Sequence, residues 1–218
     1  MNKLIYRIDQ EVDKRSLLKH PFYKMWSNGE LSIDDLQGYS LEYFQLVKMV
    51  PEMVNNILLK MGESKLRGLV EESQKEEKNH VEPWIRFASS LGVKKKDLLN
   101  HVCDENTKEA VSSLVELSKN SLDEAICAMY AYELDLPNIS RSKIEGLSKF
   151  YNLSSPDSRN YFEIHQEADI RHAAIWRNMI RKIPDHKYES CINSAIDSLN
   201  AQNLLLDAVY EKYVKSFN

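Results

Sequence analysis

Apolar positions recur every three or four residues along almost the whole chain, the period of a helix buried on one side. Leu4, Ile8, Val12, Leu17 and Leu18 predict a first helix, and Pro21 opens a short unit that Asn28-Gly29 closes. Ser32 followed by Asp34 and Asp35 reads as an N-cap with an acidic first turn, for a helix reaching about Val50. Pro51 there kinks it or starts the next. A long helix is expected from Ser64 to Ser90, ended by Leu91-Gly92, then a short piece over 95–101 and helices over 105–119 and 121–136. Pro137 interrupts, helix resumes to Tyr151, and Ser155-Pro156 caps another that runs to Ile183 before Pro184. Ile192, Ile196, Leu199, Leu206, Tyr210 and Tyr213 mark a last helix over 187–216. The expectation is a compact all-α bundle of about eight helices forming a single domain over 1–218.

Composition narrows this reading without changing it. Hydrophobic residues make up 43% of the 218, enough for a core. Gly and Pro number six each, too few for the turns of a β-sandwich or barrel. A net charge of −4 gives no overall pull toward nucleic acid or anionic lipid, so neither is expected as a partner. Cys103, Cys127 and Cys191 are an odd, scattered set, read as reduced thiols of a cytoplasmic protein. No stretch has the length of a membrane span or of a signal peptide's apolar segment. The runs Lys94-Lys95-Lys96 and Glu71 to Lys78 read as solvated helix faces.

The chemistry concentrates in one stripe. Phe162, His165, Asp169, His172, Trp176, Met179 and Ile183 follow steps of 3, 4, 3, 4, 3 and 4. Two imidazoles and a carboxylate therefore share one inward face, within about 60° of each other. Each needs a partner when buried, and a divalent metal serves all three; the alternative is a hydrogen-bonded His–Asp core network. Two His and a carboxylate suit iron or manganese. Glu133, in the apolar run before Pro137, is the candidate from a facing helix, against a solvent-exposed Glu near a helix end. His80 supplies a third set. Glu76 lies one turn before it, and Glu72 lies eight residues before, about 80° off on a straight helix. A π-bulge would bring Glu72 into line. Two Glu-x-x-His motifs are not found, which argues against an ordinary ferritin-like di-iron site.

His20-Pro-Phe-Tyr-Lys-Met-Trp-Ser-Asn-Gly-Glu-Leu with Leu36-Gln-Gly-Tyr and Tyr43 resembles the heme-oxygenase-like superfamily that holds thiaminase II (TenA) and the pyrroloquinoline-quinone synthase PqqC. Tyr130-Ala-Tyr-Glu with Pro137 and His165-Gln-Glu-Ala-Asp-Ile-Arg-His resembles its dimetal oxidases, most of all the CADD-like proteins (Chlamydia protein associating with death domains). The similarity spans about 10–183. The resemblance implies a heme-oxygenase-like fold and an oxygen-dependent enzyme that makes p-aminobenzoate for folate from one of its own tyrosines. It implies metal ligands at Glu72, His80, Glu133, His165, Asp169 and His172, with Glu71 and Glu76 competing for the first place. Tyr23 is then the consumed tyrosine, Lys143 the proposed amino donor, and Tyr39, Tyr43 and Tyr130 relay candidates. The implied cofactors are two divalent metals, Fe/Fe or Mn/Fe, with dioxygen and an external reductant; a homodimer is compatible with the fold. The same ligands serve relatives that oxidise a small external substrate. A thiaminase II-type hydrolase would instead use Cys127 as nucleophile. Nothing in the sequence supports a host-protein interaction.

Overall fold

The computed structural model describes residues 2–215. Its α-helices are α1 (Lys3–Lys14), α2 (Pro21–Asn28), α3 (Ile33–Val47), α4 (Val50–Leu58), α5 (Lys65–Ser90), α6 (Lys95–Leu99), α7 (Glu105–Lys119), α8 (Leu122–Glu133), α9 (Leu136–Phe150), α10 (Pro156–Ile180) and α11 (Tyr188–Val209). Short 3₁₀ turns lie at Leu17–Lys19 and Asp185–Lys187, and a π-helical turn at Tyr210–Val214 follows α11. No strand occurs among the described residues. The protein is all-α, as expected, but with eleven α-helices among those residues rather than about eight.

The extra boundaries have local causes. Ser16 caps the 3₁₀ turn, so α1 stops at Lys14 instead of running on to Leu18. Pro51 is the second residue of α4 and Pro137 the second of α9; each tolerates the first turn, where its missing N–H has no partner to lose. Ser32 and Asp35 form a reciprocal capping box, as do Ser121 and Glu124. Gly29 ends α2 at φ +72, a backbone that L side chains rarely adopt.

α8 occupies the centre. Every residue from Ala125 to Glu133 is buried, which requires neighbours all round; α11, α10 and α7 supply most of them. α10 packs between α5, α8 and α9, and α5 also borders α3 and α4. The inward faces of α5, α8 and α10 therefore converge, while α2, α3 and α9 close one end of that space.

Candidate metal centre and the tyrosine–lysine cluster beside it

Along α5, Val70, Ser73, Glu77, His80, Trp84 and Phe87 are buried at steps of three and four. One face thus carries a carboxylate and an imidazole inward, one turn apart. α10 presents His165, Asp169 and His172, and α8 delivers Glu133 from its last position. All six side chains belong to residues at most 5% exposed. Two triads form, Glu77/His80/His165 and Glu77/Asp169/His172, each with ligand atoms within 4.8 Å of one another. Glu77 belongs to both. Glu133 Oε1 is 3.9 Å from His172 Nδ1, at the edge of the second triad, and its other oxygen accepts from the Trp176 indole N–H.

Hydrogen bonds outside the triads orient the rings. His165 Nδ1 donates to the Tyr161 carbonyl at 2.7 Å, leaving Nε2 with its lone pair. His172 Nε2 donates to Glu76 at 2.8 Å, and Arg171 braces that carboxylate at 3.1 Å. His172 Nδ1 then faces Glu77 at 3.5 Å and Asp169 at 3.6 Å. This is how outer groups usually set a metal-binding imidazole.

The residues present fit a metal. His80 Nδ1, His172 Nδ1 and Asp169 Oδ2 are buried with no hydrogen-bond partner, a cost of about 1–3 kcal/mol each. The electrostatics agree. Burial pushes the Glu133 and Asp169 carboxyls up. Burial also opposes ionisation of Glu77, but the His80 ring 3.3 Å away and the nearby His165 outweigh it and hold that carboxyl down. Burial disfavours a charged His172, yet Asp169 at 3.6 Å and the Glu133 and Glu77 carboxylates raise it to about 10. The field that holds a proton there would hold a cation. An all-N/O set of three imidazoles and three carboxylates suits iron or manganese chemistry.

Five residues expected from the sequence as ligands, His80, Glu133, His165, Asp169 and His172, come together here. Glu72 does not: it is exposed, because α5 is α-helical throughout and no π-bulge turns it inward. Glu77 occupies its place. Glu71 pairs with Arg67 at 3.0 Å on the outside, and Glu76 supports His172 rather than His80. The run Glu71 to Lys78 is thus not wholly a solvated face. Glu77-Lys-Asn-His80 is itself a Glu-x-x-His motif, and Asp169-Ile-Arg-His172 is its Asp counterpart. The signal that finds Glu77 is the α5 stripe, which has the same rhythm as that of α10.

The second cluster lies against the first. Tyr23 is 2% exposed, Tyr39 0% and Tyr43 5%. The Tyr23 and Tyr39 hydroxyls are 3.2 Å apart, and Lys143 Nζ donates to the Tyr39 hydroxyl at 2.6 Å. Lys143 is 4% exposed, and its Nζ sits 4.8–5.2 Å from the ring centres of Tyr23, Tyr39, Tyr43 and Phe162. Among the described residues no carboxylate pairs with it, so burial alone drives its ammonium well below the usual lysine range. Burial likewise pushes the Tyr23, Tyr39 and Tyr43 phenols up.

Rings connect the two clusters. Tyr161 lies 4.2 Å from the His165 ring and 4.6 Å from Trp84. Trp84 stacks on Tyr43 at 5.1 Å, and Tyr43 lies 5.2 Å from Tyr39. Trp84 follows His80 by one turn, yet neither it nor Tyr161 was singled out from the sequence. Tyr130 points elsewhere, donating to Asp9 at 2.7 Å and accepting from Arg177 at 3.0 Å. Cys127 faces Cys191 on α11; that hydrogen bond and burial push its thiol far up, so it is not poised as a nucleophilic thiolate.

A metal-capable carboxylate–histidine cluster inside an all-α bundle defines a class of enzyme rather than one member. Residues 10–212 match the TENA/THI-4/PQQC family, and the chain belongs to that family. It is similar to the 4-aminobenzoate synthase of Chlamydia trachomatis serovar D, with 33% identity over 172 residues, covering 77% of this chain and 74% of that protein. It is 29% identical over 229 residues to the 4-aminobenzoate synthase of Nitrosomonas europaea, covering 97% and 93% of the two. The fold matches a domain of unknown function with a heme oxygenase-like fold from Shewanella denitrificans. The TM-score is 0.80 at 18% identity, covering 97% of this chain and 92% of that one. No described helix is long and apolar enough to cross a membrane.

Proposed function

We propose that this chain is an oxygen-dependent enzyme that makes 4-aminobenzoate, taking the ring from its own Tyr23 and the nitrogen from Lys143. The observation that carries this reading is the enclosure of a tyrosine and an unpaired lysine in one aromatic box beside the carboxylate–histidine cluster. The Lys143 nitrogen faces the Tyr23 ring at 4.8 Å, and Phe22, Trp26 and Tyr39 pack against that ring, which is 2% exposed. Surface cavities of about 310 to 700 Å³ are lined by other residues. An internal substrate fits this packing better than an external one. The relatives named as 4-aminobenzoate synthases support the same product.

Glu77, His80, His165, Asp169, His172 and Glu133 would hold two divalent ions, Fe/Fe or Mn/Fe, with Glu77 shared. Bound metal would supply the oxidising power of dioxygen, with electrons from an external reductant. The protein's own contribution is positional. α2 holds the Tyr23 ring, whose para carbon carries the hydroxyl that nitrogen must replace. α9 holds an amine whose desolvation leaves its lone pair free. Phe22, Trp26 and Tyr39 pack round the ring and exclude water.

Peptide mapping by mass spectrometry tests this. After metal loading, reductant and oxygen, the peptide containing Tyr23 should change mass, and so should the one containing Lys143. Unchanged peptides in a sample that has formed 4-aminobenzoate would contradict it.

A further inference from the structure

The hydroxyls of Tyr23 and Tyr39 and the Lys143 amine form one continuous line, with gaps of 3.2 and 2.6 Å. The Tyr39 ring in turn lies 5.2 Å from Tyr43 and 5.7 Å from Trp84, on the ring path toward the metal cluster. Removing an electron from a buried phenol requires removing its proton too, since a charged phenol radical would be stranded in an apolar box. Water cannot take the proton, because Tyr23, Tyr39 and Lys143 are at most 4% exposed. Among the described residues, the groups reached by hydrogen bonds from Tyr23 are Tyr39 and, through it, Lys143.

We infer that Lys143 is the base that receives the Tyr23 proton, through the Tyr39 hydroxyl, when Tyr23 is oxidised. This rests on the self-consuming reading above. With Lys143 a neutral amine, its 2.6 Å hydrogen bond to Tyr39 reverses so that the Tyr39 O–H donates to the Nζ lone pair; the Tyr23 O–H bond then breaks as its proton passes to the Tyr39 oxygen and the Tyr39 proton passes to Lys143. The electron would leave through the rings of Tyr39, Tyr43, Trp84 and Tyr161, and dioxygen at a metal held by the cluster would be the one-electron oxidant. Tyr23 is left as a neutral phenoxyl radical and Lys143 as an ammonium. The four ring faces around Nζ then favour that ammonium, and it must give the proton up again before its nitrogen can leave. Lys143 acts twice, first as base and later as amine. Trp84 and Tyr161 are positioning residues for the electron.

The test is freeze-quench electron paramagnetic resonance on metal-loaded protein mixed with oxygen, in wild type, Lys143→Met and Tyr39→Phe, with Tyr23→Phe to assign the signal. Both changes keep the box apolar and filled, and thermal melting checks folding. The Tyr23 radical should fall at least tenfold in both variants. If Lys143 is an amine source only, Lys143→Met would form the radical in full and make no product, and that result overturns the inference. In metal-free protein, the ¹⁵Nζ resonance of Lys143 at pH 7 should be that of a free amine; an ammonium resonance would also overturn it. Wild-type protein grown with ring-labelled tyrosine separates the two claims. Labelled product together with undiminished radical in the variants sinks the proton route alone. Product without label sinks the self-consuming reading.

Discussion

At the scale of single residues, five positions separate Glu72 from Glu77, and that spacing decides which one meets the cluster. On α5 the first is exposed and the second is shared by both triads. Glu77→Gln should therefore weaken Fe(II) or Mn(II) binding at least 100-fold, beyond the roughly 10–100-fold usual for supporting groups. Glu72→Gln should leave affinity unchanged in a chelator competition. Equal losses would mean that α5 is rotated in the loaded protein. Glu76→Ala belongs between them: it removes the acceptor of His172 Nε2 and should cost about 10–100-fold in affinity. Five of the six cluster residues were legible in the sequence. The His165, Asp169 and His172 stripe showed itself by rhythm. Glu77 carried the same rhythm with Val70, Ser73, His80 and Trp84, but it sat inside a run of charges that reads as a wet surface. Lys143 was legible only by resemblance, although Ile139, Lys143 and Leu147 place it on a buried face of α9.

At the scale of elements, helix boundaries followed from caps and prolines, which act locally and can be read locally. Pro184 marks the break between α10 and α11, expected after Ile183 and found after Ile180, whereas the π turn after Val209 falls within a helix expected to run on to 216. Close approach is a tertiary contact that no local pattern carries. A Cβ added to Gly146 on α9 would lie 2.6 Å from Trp26 Cδ1, forcing α2 and α9 apart. Each helix holds one half of the proposed reacting pair, Tyr23 and Lys143. Gly146→Ala should cost about 1–3 kcal/mol, lowering Tm by several degrees, and should reduce 4-aminobenzoate yield more than metal binding. A variant as stable as wild type would show that this packing yields at no cost.

At the scale of the whole molecule, one buried carboxylate ties distant segments together. Glu42 on α3 accepts from His101 at 2.9 Å, the Asp104 backbone at 3.0 Å, Lys212 at 2.8 Å and Tyr213 at 3.0 Å. Burial opposes its charge, but the bonds from His101 and Lys212 outweigh that and hold its carboxyl at about 2, against an ordinary 4.5. A depressed carboxyl stabilises the folded state fully above its unfolded value and loses that contribution as pH falls through the folded one. The contribution is about 3 kcal/mol, and it should vanish between about pH 4.5 and 2. Denaturant titrations of wild type and Glu42→Gln should thus differ by that order at pH 7 and converge across this window; a constant difference down to pH 2 would contradict the tether. The central claim, that the molecule supplies its own substrate, has a direct measurement. Protein grown with ring-labelled tyrosine is loaded with Fe(II), with and without Mn(II), then given reductant and oxygen, and 4-aminobenzoate is analysed by mass spectrometry. The account predicts product that carries the ring label in wild type and is lost in Tyr23→Phe. Unlabelled product, or labelled product that survives Tyr23→Phe, would contradict it.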